Sequence, residues 1–450
     1  MLIILFALWP IRAQATSPLQ EARELIKTQY VENVPDWVLS KSTIREMVRY
    51  LDQYSSYMTA EEYKEFVRAI DQQYVGIGIT IEEDIDGVKI LGVLKDGLAE
   101  KAGLTAGDVI TSIDGRSVKD HSTQYAITLL SGKVGTSVNL TYLDEESQEE
   151  KTVEVHRAMI QLPSIEYSML GGNIGYIRLY SFSENAASEI NQAMAKLAGA
   201  KGWIVDLRDN GGGYITSAQE VTGLFPSVTK AFQLHYKGQV VENYSSISQK
   251  NKFKGRTHLL INNYSASASE MVAAAVKEQK GAVLYGQKTY GKGSMQSLYA
   301  LSDQSVIKLT TAYIYSPNGK AIQEVGVTPN NRTSIGNELV VSHKDQLKAQ
   351  YRMYRKLPTL TQEAGARALT LSTSEKMDWT GISSKDVQLI QLGGKEIPIN
   401  ITAVGKQVLK LTPKEKLQAE TSYVLLIHSN WKGKDGRNML LGSWVDIRVK

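Results

Sequence analysis

The 450-residue chain contains no cysteine, and this one absence excludes disulfides, thiolate metal sites and a cysteine nucleophile together. It also has no run approaching the ~20 consecutive apolar residues that a transmembrane helix needs. Charge of one sign is scarce: the formal net charge is +4 and the basic residues are scattered, so the composition does not point to nucleic acid. Histidine is sparse as well. The six, at 121, 156, 235, 258, 343 and 428, lie mostly inside strand-like runs, and none pairs at a metal-ligand spacing such as HExxH. No metal and no cofactor are expected, and a Ser-His-Asp triad finds no support in the spacing.

What remains is ordinary for soluble globular protein: 42% hydrophobic and 22% charged residues, over a length that fits two to four domains. Residues 1–11 form a short apolar run, and Ala13-Gln14-Ala15 gives the small-x-small pattern of a cleavage site. This predicts a signal peptide over 1–15 and export, although no Lys or Arg precedes the run.

From 17 to about 73 apolar residues recur at helical intervals, and the tyrosines of LDQYSSY (51–57) are expected to pack a joint between two helices. At Tyr74 the period changes to two. Five strand-like runs follow within about eighty residues, with helix-like pieces at 97–103 and 122–130, and Gly76 and Gly78 stand at the entry to the first strand. This order fits a peptide-binding module in which a glycine-rich loop holds a chain-terminal carboxylate and a sheet edge accepts the peptide; it equally fits a structural β domain whose glycines serve turns. From 162 to 332 strands and helices alternate, as in α/β layering. Beyond a charged segment at 344–358, short strand-like runs separated by turn residues predict a separate β-sandwich.

Three segments of the α/β part carry chemistry. In 265–270, SASASE runs into an Ala-rich helix, where the helix dipole and unpaired amides favour negative charge on a serine; the same residues, Ser267 and Glu270, fit a capping box. TYGKGSMQ (289–296) sets Lys292 between two glycines after a predicted strand. To act as a base, Lys292 must lose about three units from a pKa of ~10.4, roughly 4 kcal/mol, through burial and a missing counter-ion, and Gln296 can hold the amine without favouring its charged form. Residues 286–292 also satisfy G-x-x-x-x-G-K, but Gly293 stands where a phosphate loop needs Ser or Thr. DLRDNGGG (206–213) ends another buried-looking strand; its glycines leave amides open for an oxyanion hole, or simply make a tight turn.

Together, LDQYSSY at 51–57, GIGI at 76–79, GYIRLYSF at 175–182, DLRDNGGG, SASASE and TYGKGSMQ resemble the carboxyl-terminal processing proteases (tail-specific proteases, peptidase family S41), serine proteases with an inserted PDZ domain. The resemblance covers about 17–347. It implies an α/β protease core with a helical N-terminal segment, an inserted PDZ domain and, more weakly, a C-terminal Ig-like β-sandwich. The corresponding division is signal peptide 1–15, N-terminal helical part 16–73, PDZ domain 74–158, protease core 159–347, linker 348–365 and Ig-like domain 366–450. It makes Ser267 the nucleophile, Lys292 the general base and Gln296 its orienting partner, with Ala268 and Gly213 as the oxyanion hole and Gly76, Ile77 and Gly78 as the peptide-carboxylate loop. Glu278 stands where some relatives carry Asp, which leaves that position's role open.

The implied partners are unfolded or tail-exposed protein substrates taken up through a gating PDZ domain, with a homo-oligomer and cell-wall association through the C-terminal domain also in view. The implied location is outside the cytoplasm, on the cell-wall or periplasmic side of a bacterial membrane. Two other readings stand beside the protease: a non-catalytic PDZ and Ig-like peptide-binding scaffold, and nucleotide hydrolysis through 286–292.

Overall fold

The computed structural model describes residues 17–450; the signal peptide expected at 1–15 lies outside the described residues. The chain divides into two compact units, one built from residues 17–63 with Ser164–Lys450 and the other from Lys64–Pro163.

The first unit is organised on a six-stranded sheet in the order Ile165–Leu170, Ile174–Leu179, Gly202–Asp206, Arg256–Ile261, Val283–Gly286, Asn331–Arg332. Its first pair is antiparallel and the others are parallel. Parallel strands are covered on both faces, which is why Gly202–Asp206 reads GWIVD and is buried at every position. Successive side chains then serve opposite cores. Ile177, Val205, Leu259 and Leu284 pack against the helices Ala186–Lys196, Ile215–Thr222 and Ala268–Glu278. Tyr176, Ile204, Leu260 and Tyr285 form the opposite cluster, joined by Leu339 of the helix Glu338–Gln350. Each such fully buried aliphatic side chain contributes about 1.5–3 kcal/mol.

A second, five-stranded antiparallel sheet is centred on Val306–Tyr315, which pairs with Ser56–Met58, Lys230–Tyr236 and Ser294–Ala300. The N-terminal helices Pro18–Gln29, Asp36–Leu39 and Ile44–Val48 pack Ile26, Val38 and Met47 against its Leu301, Ile307 and Leu309. The helical pattern expected up to 73 is thus interrupted by the strand Ser56–Met58. Tyr54 serves the lysine loop, whereas Tyr57 lies in the strand and packs on the cluster where the N-terminal helices meet this sheet.

In the C-terminal region two sheets share one core that includes Leu389, Leu409, Leu425, Trp431 and Ile447. Arg355–Lys356 and Leu360–Gln362 pair parallel with its last strand, Ser443–Val449. Leu347 of the long helix packs with Ile390, Val424 and Trp444 on the outer face.

The second unit carries the sheet Ile79–Asp84, Gly87–Val93, Val109–Ile113, Ser137–Leu143, Glu150–His156 in that order, with the helix Thr123–Leu130 and a core of Val88, Ile90, Ile110, Val138 and Leu140.

Candidate active site

Three adjacent parallel strands, Gly202–Asp206, Arg256–Ile261 and Val283–Gly286, end on the same edge of the main sheet, and from their carboxyl ends leave the three segments singled out above. Open α/β sheets place ligands in this position.

The 206–213 segment is held by buried polar contacts. Tyr176 Oη donates to Asp206 at 2.8 Å, while the Arg208 guanidinium bridges Asp206 (2.6 Å) and Glu338 (2.8 Å). Asn210, fully buried, then ties the glycines to the serine loop. Its Oδ1 accepts Gly212 N–H at 2.8 Å, and its carbonyl accepts Ala266 N–H at 3.0 Å and the Ser269 hydroxyl at 2.9 Å. Ser265 is equally structural, donating to the Leu207 carbonyl at 2.8 Å.

Ser267 stands immediately before the helix Ala268–Glu278 with φ 57° and ψ −113°. A non-glycine residue in this region costs of order 1–3 kcal/mol and persists only where its surroundings over-determine it. Gly212 is one of those surroundings, because a Cβ there would lie 2.9 Å from Ser267 Cβ and 3.2 Å from the Ala268 nitrogen. Among the described residues, neither the Ala268 nor the Gly213 amide donates a hydrogen bond, whereas that of Gly212 is taken by Asn210. The glycine triplet therefore lies against the serine with unspent donors on both sides.

Glu270, fully buried one turn into the helix, joins the serine to the lysine loop. Its carboxylate accepts Ser267 N–H (2.9 Å), the Thr289 hydroxyl (2.6 Å), Gly291 N–H (2.7 Å) and Lys292 N–H (2.8 Å). Burial pushes its pKa up, and the four donors pull it down by less. The sequence showed Glu270 only as half of a capping box, and that half is present. The three bonds to 289–292 were not legible, since nothing in a Ser-x-x-Glu pattern indicates a second loop twenty residues away.

The Lys292 ammonium is half-buried, and its pKa is held below the ordinary lysine value, first by desolvation and then by the Lys308 ammonium; Glu270 and Asp52 act in the opposite sense without prevailing. Its Nζ lies 4.9 Å from the centre of the Tyr54 ring. Tyr54 is fixed by Asp52, whose Oδ1 accepts the Tyr54 and Ser55 amides at 2.7 and 3.0 Å. Gln296 makes its hydrogen bonds to Ser294 (3.0 Å) and Thr310 (3.2 Å) rather than to Lys292. It therefore shares a sheet face with Lys308, two residues from Thr310 on the central strand. The 286–293 loop leads into the strand Ser294–Ala300, not into the helix N-terminus that a phosphate loop requires.

The histidines are engaged elsewhere. His258 binds Ser342 and His343 binds the Gly171 carbonyl, and burial pushes both pKa values down to about 4. Glu278 accepts the Ser316 hydroxyl and the Asn318 amide at 2.8 and 3.0 Å, pinning the 316–319 turn. Among the described residues no cluster of His, Asp and Glu forms a metal-holding group, and no helix is long and apolar enough to cross a membrane.

In the second unit, Gly76, Ile77 and Gly78 line a cavity of about 1030 Å³ together with Leu94, Ile127 and Leu130. The Ile77 carbonyl accepts Ala99 N–H at 3.1 Å, so the Gly78 N–H of the same planar peptide points the opposite way. Gly78 has φ +86°, a conformation that suits glycine.

These two arrangements match known families. The sequence model of Peptidase family S41 matches residues 173–333 and that of the PDZ domain matches residues 89–144. The chain is 33% identical over 367 residues to the carboxy-terminal processing protease CtpA of Bacillus subtilis (strain 168), covering 80% of this chain and 75% of that one. It is 32% identical to the carboxy-terminal-processing protease of Bartonella bacilliformis over 68% of this chain and 72% of that one. Among solved structures, the photosystem II D1 C-terminal processing protease is 25% identical with a TM-score of 0.46, over 70% of this chain and 92% of that one. The chain thus belongs to peptidase family S41 as a serine-type C-terminal processing protease that carries a PDZ domain.

Proposed function

We propose that the protein is an exported endopeptidase that cleaves unstructured or C-terminal tails of proteins by a Ser-Lys acyl-enzyme mechanism gated by its PDZ domain. The observation that carries this reading is the Glu270 carboxylate, which binds the backbone of Ser267 and of Lys292 at once. In the reaction, Ser267 Oγ attacks the scissile carbonyl and its proton passes to the neutral Lys292 amine. The Ala268 and Gly213 amides receive the oxyanion, a contribution of about 3 kcal/mol to the barrier for a well-placed donor. The departing amine takes the proton from Lys292, and a water deprotonated by the same lysine releases the acyl group. Gln296, whose Nε2 is spent on Ser294 and Thr310, orients the lysine amine through its Oε1, and the loop of Gly76, Ile77 and Gly78 holds the tail carboxylate. A homo-oligomer and a C-terminal Ig-like domain that positions the enzyme at the cell wall belong to the same reading. The comparisons lend no support to a non-catalytic scaffold.

Two measurements test it. An unfolded polypeptide with a free apolar C-terminus is expected to be cleaved with a kcat/KM about 10–100-fold above that of its C-terminally amidated form, the worth of one charge-assisted anchor. Equal rates would remove the carboxylate loop from the mechanism. The pH profile tests the base. Lys292 must be deprotonated, so kcat/KM should rise with pH through a pKa below the ordinary lysine value of 10.5. Lys308→Met removes a nearby cation that disfavours the protonated amine; it should therefore raise that pKa and move the rising limb to higher pH. A profile flat from acid to alkaline would exclude a lysine base.

A further inference from the structure

The excess positive charge of the molecule resides in its C-terminal β domain. Residues 355–450 carry fifteen Lys and Arg against nine Asp and Glu, whereas the whole chain carries 51 against 47. Part of that excess is gathered where three turns meet. Met377 N–H donates to the Lys406 carbonyl and Lys434 N–H to the Lys376 carbonyl, both at 2.8 Å, while Asp378 and Lys432 are paired residues on neighbouring strands. Trp379 fastens the turns together, since its Nε1 donates to the Gly405 carbonyl at 2.7 Å and its ring meets Trp431 edge-on at 5.3 Å. Four lysines, 376, 406, 432 and 434, therefore project from one small region.

Their charge is neutralised only in part: the Asp378 carboxylate interacts with Lys432 and Lys434, but among the described residues none of the four lysines forms an ion pair. The ion pairs formed by this domain join Lys344 and Lys356 to Asp446, Lys395 to Glu415 and, within the turn that carries Lys434, Arg437 to Asp435. The acidic groups nearest in sequence are Glu375, Asp378 and Asp435, and Asp378 is bound by the Thr380 amide. Lys406 disfavours the Lys434 ammonium and pulls its pKa down although the side chain is fully exposed, while Asp378 acts in the opposite sense without prevailing. A further anion at these lysines relieves that repulsion.

The same turns expose aliphatic side chains that the core does not use. Val404 is 65% exposed and Leu440 94% exposed. Val404 begins the hairpin turn that carries Lys406, and Leu440 follows Asn438, which bridges back to Lys432. A free phosphate or a soluble polyanion has no use for these side chains, whereas a bilayer takes both: lysines at the headgroups and aliphatic tips between them.

We propose that the turns bearing Lys376, Lys406, Lys432, Lys434, Val404 and Leu440 form a docking surface for an anionic lipid bilayer. Cell-wall association is what the resemblance of this domain implies; the exposed aliphatic tips favour the membrane surface instead. The proposal does not depend on the catalytic mechanism.

The test is flotation of the full chain with vesicles containing phosphatidylglycerol, compared with phosphatidylcholine alone. Binding is expected only to the anionic vesicles and is expected to fall with salt. A lysine near such a surface contributes about fivefold in partitioning, so Lys406→Glu with Lys434→Glu should weaken binding by on the order of 25-fold or more. Leu440→Ser should weaken it severalfold, and both variants should still cleave a soluble unfolded substrate at the parent rate. The proposal is overturned if the parent protein ignores anionic vesicles at low salt, or if the lysine substitutions leave binding unchanged. It is equally overturned if Leu440→Ser has no effect while a lipid-free polyglycerol phosphate captures the protein as well as vesicles do.

Discussion

Ser267→Ala and Lys292→Ala are each expected to lower cleavage of an unfolded substrate by about 10³–10⁴-fold or more, and the double variant to be hardly worse than either alone. A nucleophile and its base act as one unit, so removing the second after the first takes away little. The residual rate should come from substrate binding and from the amides of Ala268 and Gly213, which neither substitution removes. Both variants should keep the parent melting temperature or exceed it. Lys292 carries a pKa depressed by burial, so its ammonium is disfavoured in the folded state, and replacing it relieves that cost at neutral pH. Ser267 holds a strained backbone whichever side chain it bears. Single-turnover assays with an acylating inhibitor give the decisive measurement: covalent labelling should vanish in Ser267→Ala and become slow in Lys292→Ala. Undiminished cleavage by either variant would sink the Ser-Lys mechanism.

Glu270→Ala should disable the enzyme without touching substrate. Four donors lose their acceptor at once: two are the amides of the reacting pair itself, Ser267 and Lys292, and the other two, from Thr289 and Gly291, adjoin the lysine. Unpaired buried donors cost about 1–3 kcal/mol each, and breaking a buried charged network costs about 3–5 kcal/mol in all, so the melting temperature should fall by several degrees. Activity should fall further than stability does. At a temperature where the variant is still folded, a loss of at least about 10²-fold in kcat is expected because the nucleophile and base are no longer held in register. Glu270→Gln separates the two effects. It keeps one acceptor oxygen but offers an amide donor where an acceptor is required, so it should regain part of the stability and little of the rate. Parent-like kcat in Glu270→Ala would show that the two loops find their geometry without the latch.

The legible part of this molecule is what periodicity and motif residues carry. The parallel strand Gly202–Asp206 announces itself in GWIVD because burial on both faces demands an unbroken apolar run, and the helix Ala268–Glu278 does so through its alanines. The motif residues Ser267, Lys292 and the glycine triplet could be singled out because each sits at a strand end with an unusual local composition. Contacts between distant segments were not legible. Asp52 and Tyr54 lie in a stretch that reads as a helical joint, yet they stand beside Lys292 because a three-residue strand, Ser56–Met58, pairs with Val306–Tyr315. A strand so short leaves no period to detect. Lys308 looks like one more surface lysine in an alternating strand, and its effect on Lys292 depends on the pairing of Ser294–Ala300 with that strand. Arg208 and Glu338, 130 residues apart, could not be joined by any pattern.

The central strand of the second sheet also bears on when the enzyme first becomes active. The Ser55 hydroxyl accepts the Thr310 amide across 255 residues of sequence, and Lys308, Thr310 and Gln296 all belong to the lysine's side of that sheet. The nucleophile, the glycine triplet and Lys292 itself emerge earlier during synthesis, but the surroundings that lower the lysine's pKa are incomplete until the segment around 310 has been made and paired. Pairing between residues so far apart in the chain forms late in folding. On the proposed mechanism, a chain that has not yet paired this segment carries both reacting groups without the surroundings that make Lys292 a competent base.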